Sequence, residues 1–265
     1  RDRDEIDATV AKVMRQKDPV YDFVSDDGIG HALWLMDSEE DINAIQAAFA
    51  KLPCLYVADG HHRTASAAKV GLVRREQNPD YTGEEEFNFF MTVIFPDNQL
   101  KIFDYNRVVK DLNGLTQDKF LAKVREKFSV EPVSQAGPFR PSKLHEFGMY
   151  LGGTWYKLEA LPGTWDDTNV VDSLDVSIMQ NNLLHPILGI GDPRRDNRID
   201  FVGGIRGLGE LVRRVDSGRE AVAFAMFPTS MDELLGIADA GEIMPPKSTW
   251  FEPKLRSGLF IHPLT

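Results

Sequence analysis

A six-residue segment gathers side chains that bind anions and move protons: Asp59, Gly60, His61, His62, Arg63 and Thr64. A glycine lets a ligand approach the backbone closely, and an arginine can donate two parallel hydrogen bonds to phosphate oxygens. The two histidines add further donors, and either could protonate a leaving oxygen. Asp59 could accept a proton from a hydroxyl group or bind Mg²⁺. The segment therefore predicts a phosphate-binding site whose catalytic groups are Asp59, His61 and His62.

The flanking residues indicate a strand, a tight turn and a helix. The apolar segment 54–58 predicts the strand, Asp59 and Gly60 the turn, and the alanine-rich segment that follows the helix. The first N–H groups of such a helix lack intrahelical partners and carry partial positive charge, which favours phosphate. Two plainer alternatives are that Asp59 only caps the helix and that the histidines are only solvated. Chelation of one metal ion by His61 and His62 is disfavoured, because neighbouring helical residues point about 100° apart.

A second group of cationic and hydroxyl side chains lies near the C-terminus. Those that could hold phosphate are Lys247, Ser248 and Thr249, and Lys254 could bind a substrate carboxylate. The segment is not a P-loop, because no glycine-rich spacing precedes Lys-Ser. The alternative is a rigid edge segment with exposed lysines.

Two further residues are candidates of a weaker kind. Asp175 follows apolar residues in a predicted helix, so it could project into a cleft and bind substrate, or it could bond a neighbouring backbone group. Arg107 ends a predicted strand and could face the site, although the favoured interpretation is an exposed ion pair.

Charge and cysteine content limit the classes of function. The net charge of −11 over 265 residues disfavours binding to a nucleic-acid backbone, which requires a cationic surface. Cys54 is the single cysteine, so no internal disulfide can form, and its apolar neighbours predict a buried, inert thiol. No apolar run reaches the roughly 18 residues that a membrane span needs. We therefore expect a cytoplasmic protein, and because the first residue is not methionine we expect the natural chain to be longer at its N-terminus.

The hydrophobic pattern predicts an α/β (α+β) protein with two lobes, residues 1–133 and 134–265. The boundary is placed at 134–141, which contains three helix breakers. Predicted helices cover residues 1–18, 38–52, 63–77, 116–128, 171–184, 206–215 and a segment from 230, with capping boxes starting at residues 38 and 230. Predicted strands cover residues 21–24, 31–36, 54–58, 87–95, 100–109, 148–151, 154–160, 199–202 and 221–227, of which 87–95 and 100–109 are expected to pair as a hairpin.

The segment Asp59-Gly60-His61-His62-Arg63 resembles the phosphate-binding turn of the ParB/sulfiredoxin-like superfamily. Sulfiredoxins carry a reactive cysteine where this chain has His61, so sulfinic acid reduction is not implied. ParB-type proteins have an acidic residue and paired arginines after the glycine, which this chain lacks. The resemblance is greatest to the free-serine kinases of the superfamily, and it implies a ParB/sulfiredoxin-like N-terminal lobe.

Three separated segments together resemble the uncharacterised family called domain of unknown function 1015. They are the turn at residues 59–63, the segment 174–180 and the tail 244–254, and they occur in the same order as in that family. The resemblance covers nearly the whole chain and establishes kinship rather than chemistry.

These observations lead to three functional hypotheses. The first is a kinase that transfers phosphate from ATP, with ADP as product and Mg²⁺ bound at Asp59, to serine or a similar small hydroxyl compound. The second is a phosphatase of the same ester, with His61 or His62 protonating the leaving oxygen. The third is a nucleotide-binding switch of ParB type without turnover. All three predict a nucleotide or small-molecule ligand, no nucleic acid and no membrane; the oligomeric state stays open.

Overall fold

The computed structural model describes residues 4–134, 137–256 and 258–263. The chain divides into two compact units, Arg1–Leu100 with Arg256–Thr265 and Lys101–Leu255. The predicted lobe boundary at residues 133–134 lies inside the second unit, directly after a strand of its large sheet. Proline and glycine clusters mark a loop equally well whether it separates two domains or two strands, which explains the error.

In its described residues, the first unit contains three α-helices and one hairpin. Its elements are α1 (Asp4–Gln16), β1 (Tyr21–Val24), β2 (Gly30–Leu33), α2 (Glu39–Phe49), α3 (His61–Gln77) and two short 3₁₀ segments, Glu86–Asn88 and Asp97–Gln99. The predicted hairpin of β1 and β2 is confirmed, with Gly28 at φ 80° in its turn. The capping box predicted at the start of α2 does not form. Asp41 instead accepts a hydrogen bond from Lys12 of α1 at 2.8 Å.

Two predicted strands of the first unit are absent from the part of the chain that the structure describes. Segments 54–58 and 89–95 join no sheet, and most of their apolar side chains are exposed. Cys54 is exposed as well, so the prediction of a buried thiol is wrong. Alternation of apolar residues indicates that a segment can enter a sheet, but the pairing partner decides whether it does.

The second unit contains a six-stranded antiparallel sheet. Its elements are β3 (Lys101–Phe103), β4 (Tyr105–Val109), α4 (Gln117–Val124), β5 (Phe128–Pro132), β6 (Glu146–Leu151), β7 (Thr154–Ala160), α5 (Asp175–Met179) continued by a π-helical turn (Gln180–Leu184), β8 (Ile199–Gly203) leading into a 3₁₀ turn (Gly204–Arg206), α6 (Gly209–Asp216), β9 (Val222–Ala225), α7 (Met231–Asp239) and β10 (Trp250–Glu252). The order of strands in the sheet is β5-β7-β6-β9-β4-β8, and β10 pairs with β3 in a separate ladder. Since β8 and β9 both run antiparallel to β4, they are parallel to each other and α6 connects them across β4.

Alternating side chains of this sheet enter two hydrophobic clusters. Phe147 and Met149 of β6 and Phe224 of β9 join a cluster with residues of α4, α5 and α7. Tyr150 of β6 joins the other cluster, with Ala223 of β9 and Leu211 of α6. The period of two along each strand therefore places helices on both faces of the sheet.

Two predictions in the second unit that rest on short sequence patterns are confirmed, a hairpin turn and a helix capping box. The β6–β7 hairpin turns at Gly152-Gly153, and Ser230 with Glu233 forms the predicted capping box of α7. The predicted strand 100–109 is instead two strands, and it pairs with β8, β9 and β10 rather than with 87–95. Phe128 begins β5 and does not end α4. No helix in the described ranges is long and apolar enough to cross a membrane.

Candidate functional site

The turn between residue 58 and α3 forms where the sequence predicts it. Gly60 lies at φ 80°, in the left-handed region that glycine adopts without strain, and α3 begins at His61. The first helical hydrogen bond joins the N–H of Thr64 to the carbonyl of Gly60 at 2.9 Å. The Gly60 N–H donates to Oδ1 of Asp59 at 2.7 Å, so the carboxylate is held beside the turn.

Arg63 lies against the glycine of this turn. A Cβ atom at Gly60 would lie 3.0 Å from Nη2 of Arg63 and 3.3 Å from its Nε, so the absence of a side chain makes room for the guanidinium. His61, His62 and Arg63 are exposed, and Thr64 is half-buried. The N-cap residue of α3 is Gly60, which has no side chain, and the first turn of the helix contains no acidic residue. The partial positive charge of a helix N-terminus favours an anion.

The residues of this turn fit Mg²⁺ only in part. No three His, Cys, Asp or Glu side chains cluster as possible ligands within the described residues. Mg²⁺ requires near-octahedral oxygen coordination and is usually bound by one or two carboxylates together with substrate phosphates and water. Asp59 could thus supply one ligand, and the remaining oxygens would have to come from phosphate and water.

The second unit contains a histidine–aspartate pair in which Asp175 is one of the predicted site residues. Oδ1 of Asp175 accepts two hydrogen bonds from His145, from the backbone N–H at 2.8 Å and from Nδ1 of the ring at 3.1 Å. The Asp175 side chain is buried, and no described residue donates a hydrogen bond to its Oδ2. The backbone group that Asp175 bonds belongs to a residue 30 positions away in the chain, and the sequence did not indicate the contact with the imidazole of that residue.

The environment of Asp175 raises its pKa to about 6 from 3.8. Burial is the main cause, the negative charge of Glu233 adds to it, and the hydrogen bonds and charge of His145 oppose it. A carboxyl group near pH 6 that touches a histidine is the kind of arrangement used for proton transfer.

Asp175→Asn tests this pKa through the pH dependence of stability. Because the pKa is raised in the folded state, the folded chain binds more protons than the unfolded chain between pH 4 and 6. The contribution of Asp175 to stability is therefore present at low pH and lost as the pH rises through about 6. We measure the free energy of unfolding in urea between pH 4 and pH 7. As the pH rises over this range, we expect the free energy of unfolding of the wild type to fall by on the order of 2–3 kcal/mol relative to that of Asp175→Asn.

The matched control is Asp166→Asn. Hydrogen bonds from Thr168 lower the pKa of Asp166, so its contribution to stability is gained, not lost, as the pH rises through its titration range. Parallel pH curves for the wild type and Asp175→Asn would show that Asp175 titrates as it does in the unfolded chain.

Most contacts of the C-terminal tail are structural. Ser248 is buried, and its hydroxyl donates to the carbonyl of Pro245 at 2.6 Å. Lys247 lies at φ 59°, and its Nζ is 5.7 Å from the ring centroid of Tyr105 and 6.0 Å from that of Phe201. Nζ of Lys254 is 5.4 Å from the ring of Trp250. The ligand-binding roles of Lys247, Ser248, Thr249 and Lys254 stay predictions.

Arg107 is buried rather than exposed, because β4 is an inner strand of the sheet. Its guanidinium donates to the carbonyls of Tyr105 and Lys247, the latter at 3.0 Å, and lies 5.6 Å from the ring of Phe201. Burial lowers the pKa of Arg107 to about 10, which leaves it protonated at neutral pH. Arg107 therefore fixes the backbone of the tail at Lys247.

Lys247→Ala measures what the lysine side chain contributes. A cation over aromatic rings at an exposed position stabilises a protein by about 0.5–1 kcal/mol, so we expect a loss of that size in the free energy of unfolding. We expect the affinity for ADP to stay within about twofold. Lys247→Arg keeps the cation and should restore stability. A large loss of ADP affinity in Lys247→Ala would instead support the predicted phosphate contact.

His145 is the residue of this part of the molecule that sequence analysis missed. It lies 30 residues from Asp175 in the chain, and its own neighbours carry no motif. Its φ of 65° is unusual for a residue other than glycine, but that conformation is visible only in the structure.

Comparison with known proteins places the chain in a family without assigning chemistry. A search of curated proteins found no match. Among solved structures, a mutant free serine kinase in complex with AMP is 14% identical with a TM-score of 0.39, covering 82% of this chain and 81% of the kinase. A free serine kinase in complex with AMP is 12% identical with a TM-score of 0.35, covering 95% and 81%. A mutant in complex with ADP is 15% identical with a TM-score of 0.36, covering 74% and 66%.

Structural matches at these TM-scores carry no argument about fold or function. The family match is more extensive: residues 1–177, two-thirds of the chain, fit the model described as protein of unknown function DUF1015. The chain belongs to the DUF1015 family.

Proposed function

We propose that the turn at residues 59–64 binds the phosphate groups of ATP and that the protein transfers the terminal phosphoryl group to serine or a similar small hydroxyl compound. The observation that carries this proposal is the position of Arg63, whose guanidinium lies against Gly60 at the N-terminus of α3. Backbone N–H groups, a helix dipole and a guanidinium that converge at one point form a site for a polyanion.

The side chains of the turn fall into three groups by their role in the proposed reaction. Arg63 donates to two phosphate oxygens and neutralises the charge that develops on the transferred group. His61, His62 and Thr64 donate hydrogen bonds to the neighbouring phosphate oxygens. Asp59 accepts the proton of the substrate hydroxyl. The oxygen of that hydroxyl forms a bond to phosphorus, while the bond between phosphorus and the ADP oxygen breaks. The alternative role of Asp59 is to hold Mg²⁺, which would supply part of the same charge neutralisation.

The experiment that tests the proposal combines ligand binding with turnover. Thermal unfolding is measured with ATP, ADP, serine, phosphoserine and phosphate, with and without Mg²⁺, because a ligand that binds only the folded state raises the Tm. Ligands that raise the Tm are then mixed and followed by ³¹P NMR. We expect ATP or ADP to raise the Tm, and ATP with serine to yield ADP and a phosphate ester.

Any other result of this experiment would indicate a function other than a kinase, or no phosphate binding at the turn. Release of phosphate from phosphoserine without nucleotide would indicate a phosphatase that uses the same turn. Nucleotide binding without turnover would indicate a nucleotide-binding switch. If neither nucleotide nor phosphate raises the Tm, the phosphate-binding role of the turn is wrong.

A further inference from the structure

A pocket in the second unit contains the His145 side chain. Its volume is about 410 Å³. Lys143, His145, Glu159 and Trp165 are among the residues that line it. Its charged side chains are Lys143 and Glu159, residues 160–162 form an apolar wall, and the imidazole of His145 also lines it. A pocket with an apolar wall and a few converging polar groups is the usual form of a small-molecule site.

The imidazole of His145 is held in one orientation by three contacts. An ionised carboxylate can only accept, so Nδ1 carries the proton that is donated to Asp175 at 3.1 Å. The backbone N–H of His145 donates to the same oxygen at 2.8 Å. The indole of Trp165 packs against the imidazole with 4.4 Å between ring centroids. With Nδ1 protonated, Nε2 of the neutral ring is a hydrogen-bond acceptor, and about 27% of the side chain is exposed.

The charged side chains of the pocket wall form an ion pair whose contact a zwitterionic ligand can replace. Nζ of Lys143 is bonded to Oε1 of Glu159, and their side chains are 58% and 37% exposed. Nζ of Lys157 lies 4.0 Å from the other oxygen of Glu159. Exposed ion pairs are weak, so a ligand with one ammonium and one carboxylate group can replace the internal contact without leaving a charge unpaired. A phosphorylated ligand would bring two negative charges to the single lysine that lines the pocket.

We infer that this pocket binds a small hydroxy amino acid, with the carboxylate at Lys143, the ammonium at Glu159 and the hydroxyl donating to Nε2 of His145. The hydroxyl is required because Nε2 accepts a hydrogen bond and a neutral donor satisfies it without adding charge. Asp175 acts through His145 as a positioning residue, since its Oδ1 fixes both the tautomer and the ring orientation. The pocket is lined by residues of the second unit. The inference rests on the proposed function for its ligand class, a small hydroxyl compound.

The test measures binding of L-serine and L-alanine by calorimetry and by the ¹H–¹⁵N signals of the histidine rings. We expect L-serine to bind about tenfold more tightly than L-alanine, because alanine leaves Nε2 without a donor. We expect L-serine to shift the ring signals of His145 and to leave those of the exposed His185 in place. Phosphoserine should bind more weakly than L-serine.

The key variant is His145→Asn, because asparagine tolerates the left-handed backbone at φ 65° better than other replacements. We expect it to reduce the preference for serine over alanine to about twofold or less. Asp175→Asn should weaken serine binding and change the ratio of the two histidine tautomers in the ¹⁵N spectrum, an effect that a purely structural role would not produce. The control His185→Gln should bind L-serine as the wild type does.

Three results would overturn this inference. They are equal affinity for L-serine and L-alanine, ring signals of His145 that stay unchanged at tens of millimolar serine, and an equal effect of His185→Gln. Arg63→Ala should leave serine binding at this pocket intact. Failure of nucleotide binding and failure of amino acid binding are therefore separate outcomes.

Discussion

Arg63→Ala should weaken binding of ADP by about 10–100-fold and leave the Tm within about 1 °C of the wild type. The guanidinium is exposed and lies against Gly60, so its removal creates no cavity and breaks no buried contact. Exposed substitutions of this kind change stability by about 0.5 kcal/mol or less. Loss of a charge-assisted, two-point contact to phosphate costs about 1.5–3 kcal/mol, which corresponds to the stated loss of affinity.

Two variants serve as controls for Arg63→Ala. Lys69→Ala removes an exposed cation from the same helix two turns further along, so it tests whether the net charge of α3 alone accounts for the loss. Arg63→Lys keeps the charge but lacks the planar pair of donors, and it should bind ADP with intermediate affinity. An Arg63→Ala protein that binds ADP normally, or that loses affinity only because it unfolds, would contradict the assignment of Arg63.

Gly204→Ala should destabilise the second unit by about 3 kcal/mol, which lowers its Tm by roughly 6–12 °C. A Cβ atom at Gly204 would lie 2.2 Å from Oδ1 and 2.5 Å from Cγ of Asp104. Asp104 is buried and cannot swing away easily, because it accepts hydrogen bonds from Asn106 at 2.5 Å and from Arg140 at 3.3 Å. Relief of the clash must therefore break a buried polar contact or move β8.

The same substitution at Gly209 is the control. That glycine is the first residue of α6, and a Cβ atom there would meet no atom within 4 Å. Alanine is favoured over glycine in a helix, so Gly209→Ala should leave stability unchanged or raise it by up to about 1 kcal/mol. In the double variant Gly204→Ala with Asp104→Ala, the two losses should be clearly less than additive, because one change removes the atoms that the other collides with. Additive losses would show that the clash is absorbed elsewhere.

The elements that could be predicted from the sequence are those that short segments determine by themselves. The β6–β7 hairpin needs only its two-glycine turn, and α7 needs only Ser230 and Glu233 at the spacing of a capping box. The turn at Asp59 and Gly60 is predicted for the same reason. Segments 87–95 and 100–109 were assigned to each other because they are neighbours in sequence, yet β4 pairs with strands that begin at Ile199 and Val222. No local pattern contains that information.

The same distinction separates the two candidate sites. All six residues of the proposed phosphate-binding turn are consecutive, so their types alone predict a shared function. The pair of His145 and Asp175 joins the residue before β6 to the first residue of α5, and only the folded unit brings them to 2.8 Å. Asp175 was selected from its segment, but its imidazole partner could not be.

The strand order of the large sheet has a consequence for how the second unit reaches its native state. The β5, β6 and β7 ladders join segments close in sequence, so their contact order is low and they can form early. The other edge of β6 pairs with β9, which follows about 70 residues later in the chain. The separation in sequence is larger still between β4 and its partners β8 and β9. Closing such long loops costs conformational entropy, and this cost precedes the favourable free energy of strand pairing. During synthesis, the hydrogen-bonding edge of β6 that pairs with β9 therefore stays open until Val222–Ala225 has left the ribosome, and an open strand edge favours aggregation.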